Sequence, residues 1–398
     1  MCPEPSELQA LVRDLHQRAA PWLPAGTGSR LHWGPPVLPT AGDSEALVLS
    51  TARLNRLVEH CSGDFTVTVQ AGMPLQQLQA ELAEADQWLA IDWPWGSGPA
   101  GEGSGSVGGL VARGLAGGLR QRYLGVRDQL IGISLLRADG TAARAGGKVV
   151  KNVAGYDLMR LLSGSWGSLA LITEVTLRTF PRPLHRRGLL VQGSLQALEQ
   201  LRRSCLAAAL MPQRLDWWSA ELAGAEQPAL LLALASVSAA AINDQLLQHR
   251  ATAEALGLQL ELLEPEGLQQ LEARSRAAAA EAQPVGGWLL QLGVLPAQVQ
   301  ELLADPNLAG VPCAMAAGVG LGLAWANGGA LAAYRVEALR RRCTALGGSL
   351  TVLQQPPANA GQLTTWSNSP ARAVIQAIKR EFDPLQQLAR GRLPGVTT

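Results

Sequence analysis

The stretch GGKVVKNVAGYDLMRLLSGSWGSLALITEVTLR, residues 146–178, decides the fold of the first half of the chain. It holds two of the three lysines of a chain that otherwise uses Arg, Lys148 and Lys151, and one of its three tyrosines, Tyr156. Lys151 and Asn152 stand just before a predicted helix, where polar side chains can project toward a ligand. The alternative, which fits the spacing equally well, is that both lysines face solvent and bind no ligand.

The same stretch predicts a short helix followed by a strand. Gly155 precedes the helix and Gly164 ends it. The apolar face of the helix consists of Leu158, Leu161 and Leu162. The strand is predicted to place four residues on one face: Leu169, Leu171, Thr173 and Val175.

Glycine is most concentrated just upstream, in residues 94–118, with seven glycines between Gly96 and Gly109. Without a Cβ, consecutive backbone N–H groups can approach a phosphate or a planar ring closely. The pattern is neither a phosphate loop, because no GK[ST] follows, nor a clean GxGxxG between strand and helix. A flexible linker is the alternative, but the apolar run Ser106–Val111 starts at once and argues against it.

A second loop of this kind, residues 24–29 (PAGTGS), lies near the N-terminus. Taken alone it predicts a turn. Two Gly/Ser/Thr loops that both precede ordered segments favour a phosphate-bearing cofactor more than either does alone.

Composition limits the class of protein. A chain of 398 residues predicts two or three domains, and 47% hydrophobic against 16% charged residues allows large cores. The net charge of +1 comes without a basic stripe, which disfavours nucleic-acid binding.

The cysteines and the N-terminus indicate a cytoplasmic, reducing compartment. Five cysteines without a CxxC or CxxxC pair predict neither a disulfide framework nor an iron–sulfur cluster held by this chain alone. The N-terminal residues MCPEPSELQALVRDLHQR have no basic flank followed by an apolar run, so no secretory signal is expected.

Residues 306–334 contain no charged side chain and are long enough to span a bilayer. The segment is nevertheless rich in Gly and Ala and is interrupted by Pro312 and by Gly328-Gly329. Buried strands joined by a turn fit better than a membrane span.

The remaining pattern predicts α+β structure throughout. Two strands are expected around the turn Asp139-Gly140, and DFTVTVQAGMP predicts a strand alternating at Phe65, Val67 and Val69. Beyond His185 the chain becomes rich in Leu, Ala and Gln, with strand-like runs between helices. Helices are expected at residues 6–20, 194–209, 238–256 and 266–282.

Together, SVGGLVARGLAGGLRQRYLGVRDQLIGISLLRADG and the KNVAGYDL…GSWGSLALITEV run resemble the FAD-binding domain of the vanillyl-alcohol oxidase/p-cresol methylhydroxylase (PCMH) superfamily. Within it the match is nearest to the FAD-binding subunits of glycolate oxidase (glycolate dehydrogenase). The resemblance implies an α+β fold with a two-part PCMH-type FAD-binding domain at residues 1–183. A smaller α+β cap would cover residues 184–355, and a C-terminal segment, residues 356–398, would return to the FAD domain.

The resemblance also implies non-covalent FAD and a set of cofactor-binding residues. Gly26, Thr27, Gly28 and Ser29 would form a pyrophosphate loop, and Ser106, Val107, Gly108 and Gly109 would line the pyrophosphate and flavin. Tyr123, Gly125 and Val126 would lie along the cofactor, and the backbone at Ile172 would meet the adenine. Lys151, Asn152, Gly155 and Tyr156 would lie near the reactive side of the flavin, with Lys151 as a cation for a substrate carboxylate.

Two departures from the family pattern matter. The tail after Asp383-Pro384 reads Ala389-Arg390-Gly391 instead of Asn-Pro-Gly, which leaves a tail contact to the flavin open. The five histidines show no pair at ligand spacing, so the metal and substrate site of the catalytic relatives is not expected here.

The function implied is that of an FAD-binding subunit in a complex that oxidises 2-hydroxy acids such as glycolate. Its expected partners are a homologous catalytic flavoprotein and an iron–sulfur subunit. Any association with a membrane would come through these partners, since no span is expected in this chain. The catalytic base is not identified by any motif. The alternatives are a self-sufficient FAD-dependent hydroxy-acid or alcohol oxidoreductase and a structural subunit with a decayed flavin site.

Overall fold

The computed structural model describes residues 1–38, 47–92, 105–148, 156–208, 212–281 and 286–397, with the backbone alone at 276–281. It is an α+β protein built on two main sheets. Four of its helices begin at a serine whose Oγ accepts the amide three residues on, a local signal that fixes where each helix starts. These capping residues are Ser106, Ser194, Ser219 and Ser238.

The first half of the chain forms a five-stranded antiparallel sheet of order β3-β4-β8-β6-β7 and a parallel pair, β1-β2. Its strands are β1 Trp22–Ala25, β2 Leu47–Ser50, β3 Leu57–Cys61, β4 Thr66–Gln70, β5 Gln87–Trp88, β6 Leu130–Leu136, β7 Ala142–Gly146, β8 Leu171–Arg178 and β9 Phe180–Pro181. Its helices are α1 Leu8–Gln17, α2 Leu75–Ala83, α3 Val107–Arg113, α4 Arg120–Tyr123, α5 Val126–Gln129 and α6 Met159–Leu162. The predicted hairpin at Asp139-Gly140 is confirmed, since β6 and β7 pair around it and Gly140 has a φ of +76°.

The predicted single face of β8 is wrong. The pairing with β6 steps from Ser134 opposite Glu174 to Leu135 opposite Ile172, so Thr173 is an extra residue in a bulge. Ile172 therefore joins Val175 in the core between sheet and helices, whereas Leu171 packs in a different cluster with Trp22.

The predicted alternation of the β4 segment also fails at its first residue. Phe65 precedes the strand with a φ of +52° and is 40% exposed. Val67 and Val69 are buried as expected.

The second half forms an eight-stranded antiparallel sheet of order β13-β10-β12-β11-β15-β16-β14-β17. Its strands are β10 His185–Gln192, β11 Arg214–Trp218, β12 Ala229–Ser236, β13 Gln259–Leu263, β14 Trp288–Gly293, β15 Cys313–Ala316, β16 Leu321–Ala326 and β17 Ser349–Gln354. Its helices, with the C-terminal one, are α7 Leu195–Ala207, α8 Ala220–Ala223, α9 Ala239–Ala255, α10 Pro265–Glu281, α11 Val299–Leu303, α12 Ala333–Ala345 and α13 Arg372–Phe382. The helices expected at 194–209, 238–256 and 266–282 are thus confirmed.

The two faces of this sheet have different neighbours. On β11, Leu215 and Trp217 point into a core shared with α7, α9 and α12, because side chains alternate along a strand. Trp218 points the other way, into a cluster with Trp33 and Trp166 of the first half. That second face covers the site described below.

The charge-free segment at 306–334 forms β15 and β16, an antiparallel pair joined by a turn in which Gly320 has a φ of +74°. The prediction of buried strands is confirmed. None of the helices within the described ranges is both long and apolar enough to cross a membrane.

The C-terminal tail packs against the first half of the chain. Leu388 forms an isolated parallel bridge with Trp22, and Arg392 donates from Nη2 to the Leu31 carbonyl at 2.6 Å. The tail thus reaches the first glycine loop despite its departure from the family pattern.

Candidate active site

The first cavity lies between the loop after β1 and the start of α3. Eight of the predicted cofactor residues line it together: Gly26, Thr27, Gly28, Ser29, Ser106, Gly108, Gly109 and Ile172. Ser50 Oγ donates to the Gly26 carbonyl at 2.8 Å and anchors the first loop, and Gly108 N donates to the Ala71 carbonyl at 2.7 Å and anchors the start of α3.

Glycine is required where these segments touch. A Cβ on Gly26 would lie 1.8 Å from Ser106 Oγ, and one on Gly108 would lie 2.8 Å from the Ala71 side chain. Gly28 has a φ of +77°, a conformation that other residues rarely adopt. The two glycine loops therefore form one close-packed cradle.

The backbone donors of the cradle differ in availability. At the start of α3, the amides of Val107, Gly108 and Gly109 are bonded to Met73 O, Ala71 O and Ser106 Oγ. Within the described residues, the amides of residues 26–29 donate to no protein acceptor. The β1 loop, and not α3, therefore offers free N–H groups to an anion.

Three arginines from distant segments converge on this cradle: Arg30, Arg113 and Arg392. Arg113 Nη2 donates to the Arg30 carbonyl at 2.8 Å, and its guanidinium lies 3.9 Å from the ring centroid of Trp166. Arg30 Nη1 donates to Ser29 Oγ at 3.1 Å. None of the three forms an ion pair with a described residue, and Arg113 Nη1 is buried without a hydrogen-bond partner there.

The arginine pKa values reflect this environment. Burial lowers the pKa of Arg113 to about 9, and the Arg392 and Arg30 charges add to the effect. Burial lowers the pKa of Arg30 and of Arg392 to about 10 each. All three remain cationic at neutral pH, at a cost that a bound anion would offset.

A second cavity, of about 380 Å³, lies between the loop that follows α3 and the inner face of the eight-stranded sheet. Leu115 lines both cavities, so they meet at this residue. Gly117 and Gly118 form one wall, and Trp218 and Trp325 form an apolar wall on the sheet side. A volume of this size lies within the range of small-molecule sites.

Charged side chains of both signs line this second cavity. Arg214 forms ion pairs with Asp92 at 2.5 Å and with Asp216 at 2.8 Å, and Arg186 pairs with Glu272 at 2.8 Å. Arg182 also lines the cavity but has no ion pair with a described residue. Within the described parts of the chain, no group of three or more His, Cys, Asp or Glu side chains is arranged to hold a metal ion.

Asp216 is the most unusual of these groups. It is 3% exposed, and its Oδ1 has no hydrogen-bond partner in the described residues. Burial raises the pKa of Asp216 to about 6; the Arg214 charge opposes this shift and the Asp92 charge adds to it. Burial lowers the pKa of Arg214, but the Asp92, Asp216 and Glu272 charges outweigh it and keep the pKa above its usual value.

The remaining described residues of the predicted cofactor set line neither cavity. Tyr123 packs edge-on against Trp88 and Phe180, and its hydroxyl accepts from Gln213 Nε2 at 3.2 Å. Val107 and Val126 are core residues, and Gly125 precedes α5. Tyr156 is 87% exposed.

Lys151, Asn152 and Gly155 lie outside the described residues, so their predicted place near the flavin stays a prediction. Lys148 is exposed and pairs with Glu59. This lysine therefore fits the reading of a solvated surface residue.

Arg30, Arg113, Arg392 and Asp216 were not among the residues predicted from the sequence. A signal existed for Asp216, because RLDWW places Arg214, Asp216 and Trp218 on one strand face opposite Leu215 and Trp217. No sequence pattern marks Arg30, Arg113 and Arg392 as neighbours, because 83 and 279 residues separate them along the chain.

Gly118 provides a test of the contact between the two halves. An added Cβ would lie 2.2 Å from Asp216 Oδ1, so we expect Gly118→Ala to push the sheet away from the loop and lower stability by about 1–3 kcal/mol. Urea unfolding of the variant measures this loss. Gly224→Ala is the comparison. An added Cβ there would meet no atom within 4 Å, but φ is +68°, so any loss of stability would come from backbone strain and not from a steric clash.

The fold and the paired cavities define a protein that binds a phosphate-bearing cofactor beside a small polar pocket. Residues 2–146 match the model of the FAD binding domain family. The glycine cradle, the free amides of residues 26–29 and the unpaired arginines fit FAD, which carries a diphosphate.

Curated relatives agree with this assignment. Glycolate oxidase subunit GlcE of Escherichia coli is 34% identical over 47% of this chain and 51% of its own length. Glycolate oxidase subunit GlcD of Bacillus subtilis is 31% identical over 57% and 44%, and D-2-hydroxyglutarate dehydrogenase of Xanthomonas citri pv. viticola is 36% identical over 49% and 39%. The chain thus spans about half or less of the length of these relatives.

The fold as a whole has a solved counterpart. An alkyldihydroxyacetonephosphate synthase structure aligns with a TM-score of 0.68 and 15% identity, covering 98% of this chain and 75% of that one. The chain therefore has the PCMH-type fold predicted from its sequence.

Proposed function

We propose that this chain is the FAD-binding subunit of a complex that oxidises 2-hydroxy acids, glycolate to glyoxylate in the first instance. The observation that carries the proposal is the meeting of the two cavities at Leu115. One cavity suits a diphosphate-bearing cofactor, and the other suits a small anion with a proton to give up. Three of the relatives described above are named as glycolate oxidase subunits or as a 2-hydroxy-acid dehydrogenase.

The cofactor residues have distinct proposed roles. The free amides of residues 26–29 would hold the diphosphate, while Ser106, Gly108 and Gly109 allow the cofactor to approach the backbone. The backbone at Ile172, which lines the first cavity, would meet the adenine. Bound FAD would supply the acceptor for the two electrons of the alcohol.

The residues of the second cavity suit the substrate. Arg182, which has no ion pair with a described residue, would bind the substrate carboxylate. Asp216 would accept the hydroxyl proton, since its Oδ1 lacks a donor and its pKa lies near neutrality. Trp218 and Trp325 would exclude water from the reacting atoms.

The organisation of the complex is also proposed. We place the FAD-binding domain at residues 1–183, the cap at 184–355 and the returning segment at 356–398, which keeps each main sheet within one unit. A homologous catalytic flavoprotein and an iron–sulfur subunit in the cytoplasm would receive the electrons, because the five cysteines of this chain form no clustered motif.

Anaerobic mixing tests the proposal. The purified chain is expected to carry FAD, and the complex with its partners should bleach the flavin on addition of glycolate. Bleaching by the isolated chain would place the oxidation step in its own second cavity, and repeated turnover without the partners would favour a self-sufficient oxidoreductase. A chain that binds no flavin, alone or in the complex, would favour a structural subunit and contradict the proposal.

A further inference from the structure

We propose that Arg30, Arg113 and Arg392 form an anion clamp that binds the diphosphate of a nucleotide and thereby ties the C-terminal tail to the FAD-binding domain. The proposal rests on the FAD-binding role of the first cavity. It adds a charge-neutralising site that no glycine motif contains.

The first cavity carries positive charge that no described carboxylate balances. Three guanidinium groups line one cavity, and no described carboxylate pairs with any of them. Buried like charges repel and lose hydration, so such a cluster is costly unless an anion completes it. In the second cavity, by contrast, each of the buried or half-buried Arg186 and Arg214 has a carboxylate partner.

The three arginine side chains converge on one short segment of the chain. Arg30 donates to Ser29 Oγ, Arg113 to the Arg30 carbonyl and Arg392 to the Leu31 carbonyl. These contacts place the guanidinium groups at residues 29–31, in the cavity that residues 26–29 also line. Donors remain available, because Arg113 Nη1 and Arg392 Nε have no partner among the described residues.

The chemistry of the three arginines matches a diphosphate ligand. Arginine binds phosphate oxygens in a forked geometry, and its charge complements the one negative charge on each phosphate of a diphosphate. The amides at the start of α3 are already bonded to protein acceptors, so they are not free to bind the phosphate oxygens. The clamp therefore selects a nucleoside diphosphate moiety, whatever ring system is attached to it.

A bound anion would couple the C-terminal tail to the first cavity. Arg392 is 4% exposed and lies in the tail, whereas Arg30 and Arg113 belong to the first half of the chain. An anion that contacts all three joins segments that are far apart in sequence. Binding should therefore order the tail as well as the cavity.

Equilibrium binding to the apoprotein tests the clamp, with FAD, ADP and riboflavin as probes. Arg30→Gln, Arg113→Gln and Arg392→Gln should each weaken FAD and ADP binding by about tenfold or more and leave riboflavin binding within about twofold. Arg127→Gln, an exposed arginine outside the cavity, is the matched control and should change none of the three affinities. Raising salt should weaken FAD binding in the wild type more than in the variants.

Apoprotein stability separates the clamp from a merely structural role. Removing one of three repelling charges should leave the apo melting temperature unchanged or higher, while the rise in melting temperature on adding FAD should shrink. Hydrogen exchange of residues 388–396 should slow on binding ADP in the wild type and not in Arg392→Gln. Equal loss of FAD and riboflavin binding, or FAD affinity within twofold of wild type in all three variants, would overturn the proposal.

These measurements do not depend on turnover. If the chain binds FAD through the clamp but the complex oxidises no 2-hydroxy acid, the proposed function fails and the clamp stands. If glycolate is oxidised but the variants bind FAD normally, the clamp fails and the proposed function stands.

Discussion

Asp216→Asn is expected to lower kcat/KM for glycolate by about 10² to 10⁴ fold, the usual contribution of a positioned base. The amide keeps an oxygen that can accept from Arg214 Nη1, so the ion-pair geometry changes little while the ability to take a proton is lost. Steady-state kinetics of the loaded complex measure the effect. Asp92→Asn is the matched control, because Asp92 contacts the same arginine and the Leu119 amide, and it should lose far less activity.

The pH profile gives the same proposal a second test. The base must be ionised, so kcat/KM should rise as pH increases through about 6 and level off above it. Stability should change in the opposite sense. Because folding raises the pKa of Asp216 from its usual value near 4, the native state binds more protons than the unfolded state between about pH 4 and 6, and stability falls as pH rises through that window.

Both pH effects should vanish in Asp216→Asn. An unchanged acidic limb in the variant would assign the ionisation to another group. Activity close to wild type would remove Asp216 from the reaction altogether.

Lys379→Met is expected to lower the free energy of unfolding by about 3–5 kcal/mol, the range for breaking one partner of a buried ion pair. Lys379 Nζ donates to Asp383 Oδ2 at 2.5 Å, to Ser168 O at 2.6 Å and to Leu388 O at 2.9 Å. Asp383 is 0% exposed, and its oxygens also accept the amides of Gln387 and Leu388. Without the lysine, a fully buried carboxylate loses its counter-charge.

Urea unfolding measures this loss, and a matched pair on another helix provides the control. Arg250 and Glu254 have the same i,i+4 spacing but are more than half exposed, so Arg250→Met should cost less than about 0.5 kcal/mol. A double variant, Lys379→Met with Asp383→Leu, should recover part of the stability because no charge is then left unpaired. Equal losses in the two single lysine and arginine variants would contradict the argument.

The contacts of Lys379 show that the tail returns to the first half of the chain, as expected, without the Asn-Pro-Gly motif of the family pattern. The contact is instead held by a lysine one helical turn before Asp383 and by backbone carbonyls from Ser168 and Leu388. Carbonyl groups occur at every residue, so no sequence pattern shows which ones a lysine will meet.

Local chemistry made much of this protein predictable from its sequence. Periodic apolar residues and serine caps determined the helices, the turn at Asp139-Gly140 determined the β6–β7 hairpin, and the interrupted charge-free segment determined the β15–β16 pair. The glycine loops marked the cofactor cradle because only glycine permits the close approach of Gly26 to Ser106. Each of these signals depends on neighbours along the chain.

Tertiary structure alone decided the rest. The bulge at Thr173 depends on the register between two strands, and it places Ile172 with Val175 in the core while Leu171 packs with Trp22. The meeting of Arg30, Arg113 and Arg392 depends on folding three remote segments together, as does the burial that raises the pKa of Asp216. How deeply a side chain is buried and which charges lie near it depend on distances across the folded chain. The identity of the residue alone does not determine either.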